Sequence, residues 1–166
     1  KLITASFTGV DAEQYFAKYF SGDDAFTRKL RLYFDQDKVV GYCLITFSES
    51  KKDVLIRASA AFYPEYRKGG NTFTFSMKQA FQYWLQHPQK NIYYADTMLS
   101  PAMYRAMAKK SAIVWPSFNI QPQAKALFEQ FNNQGQVSEL LNLRCLLDVG
   151  RRTNYSEKEI SSFRES

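Results

Sequence analysis

Between Asp53 and Gln86 the spacing of apolar residues changes from every second position to the 3.6-residue repeat of a helix, and this switch constrains the fold most tightly. Val54, Ile56, Ala58, Ala60 and Phe62 fall on one face of a strand, and Leu55, Arg57, Ser59, Ala61 and Tyr63 on the other. Pro64 cannot donate to a ladder, so pairing ends there. From Asn71 the pattern predicts a long amphipathic helix. Its inner stripe is Phe73, Met77, Ala80, Phe81 and Trp84, with Lys78, Gln79, Gln82 and Gln86 opposite. Phe75 and Tyr83 fall off that stripe and suggest a second buried side. Arg67, Lys68, Gly69, Gly70, Asn71 and Thr72 join strand to helix. A helix that starts straight after such a turn presents unpaired N–H groups and the positive end of its dipole. Two glycines let an anion approach the backbone, so the loop suits a phosphate as well as a plain turn.

Ahead of it, Phe26, Arg28, Leu30, Leu32 and Phe34 alternate to one side of a strand spanning 25–34. The polar run Asp35-Gln36-Asp37-Lys38 turns it into a second strand over 39–47, an antiparallel hairpin. A polar turn at 48–53 leads into the strand already described. Leu2 to Phe7 reads as a first strand, and Asp11 caps a helix from Ala12 to Phe20, with Gly22 just beyond its end. That helix has an aromatic side of Tyr15, Phe16, Tyr19 and Phe20. His87-Pro88 closes the long helix, and Asn91 to Thr97 is the next strand, with Asp96 near its end.

The loop Pro64-Glu65-Tyr66-Arg67-Lys68-Gly69-Gly70-Asn71-Thr72 resembles the coenzyme A loop of the GNAT superfamily of acyl-CoA-dependent N-acetyltransferases. There an Arg or Gln is followed by two residues, Gly, one residue, and Gly or Ala; here Arg67 and Gly70 are in place and the last small residue is Thr72. Val40-Gly41-Tyr42-Cys43-Leu44 is similar to a strand common in that superfamily. The resemblance implies an α/β fold with a mixed, mostly antiparallel central sheet flanked by helices. It implies acetyl-CoA or another acyl-CoA as cosubstrate and acyl transfer to an amine. The backbone amides of Lys68, Gly69, Gly70, Asn71, Thr72 and Phe73, after Arg67, would grip the pyrophosphate, while Ala61 and Phe62 would pair with the pantetheine amides. In Ser100-Pro101-Ala102-Met103-Tyr104, which resembles the start of the superfamily's next helix, Tyr104 takes the place of the general acid beside the thioester sulfur. Where members often carry a glutamate base, this chain has Arg57; Glu65, Asp96 or an ordered water would serve instead. The alternative is an acyl-CoA-binding protein of the same fold without turnover.

Beyond Trp115-Pro116 the resemblance thins. Gln123 to Asn133 reads as a helix, and Leu141, Leu143, Cys145, Leu147 and Val149 alternate as one closing strand. Residues 1–150 are expected to form one domain, and 151–166 a polar tail with a short helix from Ser156. A chain of 166 residues with 45% apolar and 16% aromatic content has ample material for one core. The net charge of +6 is scattered in short groups, which argues against a nucleic-acid surface and suits an acidic ligand. Cys43, Cys145 and the single His87 do not cluster, so no metal site is expected. Two buried free thiols imply a reducing compartment, and without a long apolar run or visible signal peptide a cytoplasmic chain is expected, free of membrane. The start at Lys1 without Met suggests a processed chain. Acceptor amine and oligomeric state are not legible in the residues.

Overall fold

The computed structural model describes residues 1–50, 52–67, 71–96, 107–109, 111, 113, 122–123, 126–127, 152–158 and 161. The chain divides into two compact units, 1–96 with 151–166, and 97–150. In the first unit the elements run α1 (Leu2–Ser6), β1 (Phe7–Thr8), α2 (Ala12–Phe20), β2 (Thr27–Asp35), β3 (Lys38–Ser50), β4 (Asp53–Phe62), α3 (Asn71–Gln86), β5 (Asn91–Tyr94) and β6 (Arg152–Thr153). A 3-10 turn over Pro64–Tyr66 follows β4. The main sheet has the order β2-β3-β4-β5, antiparallel except for the parallel pair β4/β5. The expected α/β class, with a mostly antiparallel sheet and flanking helices, is what the first unit shows. Among the described residues no helix is long and apolar enough to cross a membrane.

β3 is the most deeply buried strand because it is covered on both faces. Tyr42, Leu44 and Thr46 share one face, where Tyr42 meets α2, and Cys43, Ile45 and Phe47 share the other, which packs against α3, all buried. Phe47, Ile45, Cys43, Val54 and Ile56 form the core cluster, against which Tyr33, Phe75, Ala80, Tyr83, Ile92 and Tyr94 pack. Complete burial of one such side chain contributes about 1.5–3 kcal/mol. The hairpin turn between β2 and β3 is tight, with Gln36 at φ 50°, the left-handed conformation that a two-residue loop requires. On α2, the Asp11 carboxylate accepts the Gln14 N–H at 2.8 Å, the expected N-cap. At its other end Arg28 of β2 donates to the carbonyls of Tyr19, Gly22 and Ala25 and pairs with Asp24, so one guanidinium satisfies the exit from the helix.

Two expectations are corrected. Leu2 to Phe7 is not a strand: the Ala5 N–H bonds the Lys1 carbonyl at 3.0 Å and winds α1, leaving only Phe7–Thr8 extended. The winding buries Ser6 beside the end of β4, where its hydroxyl donates to the Phe62 carbonyl at 3.0 Å. On α3 the inner stripe is turned from the expected one. Phe75, Ser76, Ala80 and Tyr83 face the core, whereas Phe81 (58%) and Trp84 (43%) are exposed. Apolar residues nearly encircle this helix, and the sheet chose between the two sides through Tyr83, whose ring meets Phe47 at 5.3 Å and Phe26 at 5.9 Å. Phe75 is fixed in the same way, beneath the Arg31 guanidinium.

The segment after residue 150 is tied into the first unit. β6 pairs antiparallel with β1, and Asn154 donates its N–H to Ser6 and its side-chain amide to Ala5. In the second unit the described stretch Met107–Ala108 is helical, and the Ser111 N–H bonds back to Ala108. The expected helix over 123–133 falls mostly outside the described residues, and the strand over 141–149 wholly so.

Gly41 sits in β3 between Tyr33 of β2 and Phe62 of β4, whose rings close over it at 4.8 Å. A Cβ at Gly41 would fall 2.1 Å from Phe62 Cδ1, so the ring must leave its partner to admit a methyl group. Gly41→Ala is expected to cost about 1–3 kcal/mol, read from the urea midpoint. An unchanged midpoint would show that the ring moves aside freely.

Candidate functional site

A strand's backbone groups point alternately to its two neighbours, so one hydrogen bond fixes the direction of all of them. The Tyr63 N–H donates to Val40 at 3.1 Å, on the β3 side. By parity Ala61, Ser59 and Arg57 also address β3, with Ala61 opposite Tyr42. Ile56, Ala58, Ala60 and Phe62 address β5. There the ladder is short. It pairs Asp53 to Ile56 with Asn91 to Tyr94, and its last rung is the Ala95 N–H to the Ile56 carbonyl at 2.9 Å. β4 runs on to Phe62, leaving Ala58 and Ala60 without a strand partner on the β5 side among the described residues. Among the described residues the ladder between the two parallel strands thus ends before β4 reaches the residues that precede the glycines. Of the pair singled out in the sequence, Phe62 presents its N–H to this opening. Ala61 does not: its backbone groups serve the β3 ladder and its side chain is buried on the α2 side.

The loop that follows is anchored before its glycines. The Tyr66 N–H bonds Tyr63 at 2.9 Å and the Arg67 N–H bonds Pro64 at 3.3 Å, closing the 3-10 turn. The Tyr66 hydroxyl donates to Asp35, whose hydrogen bond and charge raise the phenol's pKa. Arg67 reaches inward. Its Nε donates to the Phe62 carbonyl at 3.2 Å and its Nη1 to the Asn154 carbonyl. This motif arginine braces the backbone around the loop. Lys68, Gly69 and Gly70 lie outside the described residues, as do the side chain of Asn71 and the whole of Tyr104. α3 begins at Asn71, so the N–H groups of Asn71, Thr72 and Phe73 are directed along the helix axis toward the loop, and no acidic side chain occupies the first turn.

The acidic candidates are separated. Glu65 is exposed on the 3-10 turn, and Asp96, two residues past β5, accepts the Tyr94 hydroxyl at 3.0 Å. Arg57 lies on the α2 side, opposite Thr46. Two polar clusters escaped the sequence reading, because their members sit in apolar runs on different elements. Under α3, the fully buried Ser76 donates to the Thr72 carbonyl at 2.9 Å and lies near the Cys43 thiol and the Tyr94 phenol. Burial first, with the Asp96 charge adding to it, pushes the thiol up to about 11; burial and Asp96 push the Tyr94 hydroxyl up as well. On the α2 side, Tyr42 donates to the Tyr15 hydroxyl at 3.0 Å, and both contact Ser59. Among the described residues no group of His, Cys, Asp or Glu side chains could hold a metal ion.

No protein-family model and no curated protein sequence matches the chain.

The raised Cys43 pKa makes a prediction about alkaline stability. The folded thiol titrates at about 11 and the unfolded one near its ordinary 9.0, so below pH 9 both are protonated and the full stability is present. Between about pH 9 and 11 the unfolded chain ionises first and stability falls, by roughly 2–3 kcal/mol from this group. Cys43→Ala should flatten the slope of unfolding free energy against pH across that window. Identical slopes in the two proteins would rule out a buried protonated thiol.

Proposed function

We propose that the chain binds acetyl-CoA or another acyl-CoA in the opening between β4 and β5 and transfers the acyl group to an amine. The observation that carries this reading is that, among the described residues, the β4/β5 ladder ends at Ile56 while Arg67, just ahead of the glycines, is anchored to Phe62 and a long helix begins at Asn71. An extended amide-bearing chain fits the backbone groups that Ala58, Ala60 and Phe62 direct into the opening, as a sheet neighbour would. A pyrophosphate fits the start of α3, where the helix dipole is positive. The resemblance of the Arg67-to-Thr72 loop to GNAT sequences points to the same ligand. In this reading the amine nitrogen attacks the thioester carbonyl, the C–S bond breaks, and the departing thiolate takes a proton. Holding both reactants in line lowers the entropic part of the barrier. Tyr104 is assigned the proton donor, and Glu65, Asp96 or a water the base.

Acyl-CoA at about 100 times its dissociation constant should stabilise the fold by about 2.7 kcal/mol, seen as a raised melting temperature. Acetyl-CoA, longer acyl-CoAs and free coenzyme A are compared in the same assay. Gly70→Asp should abolish the shift while leaving the unliganded melt unchanged, because its carboxylate occupies and repels the pyrophosphate position. No shift with any acyl-CoA overturns the reading.

Arg57, at the position where GNAT sequences often carry a glutamate, favours the second reading, an acyl-CoA-binding protein without turnover. Tyr104→Phe separates the two. In an enzyme it should lower turnover about 10²- to 10⁴-fold with little change in coenzyme A affinity. A wild type that binds acyl-CoA yet acylates no amine in a broad panel supports the second reading.

A further inference from the structure

β2 is the outermost strand of the main sheet, and no strand pairs with its outer edge among the described residues. β3 directs its even-numbered backbone groups at β4, so its odd-numbered ones meet β2, and the Phe47 carbonyl accordingly accepts the Phe26 N–H at 3.0 Å. Thr27, Lys29, Arg31 and Tyr33 thus spend their backbone groups on β3, opposite Phe47, Ile45, Cys43 and Gly41. Arg28, Leu30, Leu32 and Phe34 present theirs outward. The irregularity near Tyr33/Phe34 places the extra residue, Val40, in β3, so β2 itself keeps its alternation to Asp35. Leu30, Leu32 and Phe34 are also exposed through their side chains, at 49%, 45% and 59%. A regular edge with outward-pointing amides and an apolar row is a template for another strand.

We infer that this edge pairs with the same edge of a second copy of the chain, antiparallel about a two-fold axis at Leu32, joining two sheets into one. Charge and ladder length together select that register. With Leu32 opposite Leu32, Leu30 meets Phe34 of the second copy, and their outward N–H and C=O groups complete the rungs. On the other face Lys29 meets Asp35, and Arg31 meets Tyr33, each pair occurring twice. No like charges face each other between Lys29 and Asp35. Centring on Arg31 sets two guanidinium groups face to face, and centring on Leu30 sets Lys29 against Arg31. Centring on Tyr33 sets Arg31 against Asp35 but carries Lys29 past the end of the strand to Asp37, so the ladder shortens to residues 31–35 and is rejected on length. Opposite charges across a pair stabilise and like charges oppose, so the basic residues that repel a misaligned strand admit this one. An isologous contact of this kind closes on itself and ends with the dimer.

The test is sedimentation of the full chain over a range of concentrations by analytical ultracentrifugation, with circular dichroism confirming each variant's fold. A reversible species of twice the 19.3 kDa chain mass is expected. Lys29→Asp and Asp35→Lys should each weaken the dimer at least tenfold, by placing two like-charged pairs across the ladder. Combined in one chain they should restore it, because exchanging the two charges leaves opposite signs facing each other at both pairs. Asp35 also accepts the Tyr66 hydroxyl, a contact the double variant does not regain, so rescue reports on the pairing alone. Leu32→Asp, a change at an exposed position, should abolish the dimer. A monomer at every concentration overturns the proposal. So does a dimer indifferent to these substitutions, or folded single variants whose defect the double variant does not repair.

Discussion

Each backbone group of β4 can face only one neighbour, and the register with β3 decides which. Once Tyr63 is tied to Val40, Ala61 belongs to the interior of the sheet and Ala60 and Phe62 to its opening. The same parity passes through β3 to β2 and sets which groups remain on the far edge. β3 can impose this order because both its faces are buried, and a slip by one residue would exchange Cys43, Ile45 and Phe47 with Tyr42, Leu44 and Thr46. The cost would fall on two layers at once.

Side chains then act on what the register leaves over. The Phe62 carbonyl, on the open side of β4, is taken by Ser6 and Arg67, while Ala58 and Ala60 are left to the opening. Arg67 turns into the protein, where its donors hold two carbonyls from distant parts of the chain. Backbone amides recognise a ligand only when their directions are fixed, and Arg67 fixes the chain on the near side of the glycines. In the proposed function Arg67 acts through the position of its neighbours.

The hairpins, the period change at the glycine loop and the N-cap of α2 were legible in the residues because each is written locally. Turn residues, alternation and a capping aspartate need no knowledge of what lies opposite. The side of α3 that packs was not legible, since Phe73, Phe75, Met77, Phe81, Tyr83 and Trp84 offer a hydrophobic surface in nearly every direction. Leu2 to Phe7 failed for a related reason. Its alternation was compatible with a strand, but burying Ser6 against Phe62 required a helical turn. At the site, the loop was visible from its glycines, whereas which alanine of β4 faces the opening followed only from the register. The cluster of Cys43, Ser76 and Tyr94 gathers single polar residues from three elements, a pattern that spacing along one element cannot reveal.

The bond from Arg67 to Asn154 spans 87 positions, and that from Thr8 to Asn154 spans 146. The meander β2-β3-β4, by contrast, is built from neighbours in sequence and needs only short loops to close. The order of synthesis therefore separates scaffold from site. The strands β2 to β5 are all synthesised long before residue 154, but the bond from Arg67 to Asn154 cannot form until then. The Arg67 brace therefore carries a larger loop-closure cost than the strand pairings of the meander. In the proposed function, binding competence is thus conferred last, by a segment that contributes little to the core.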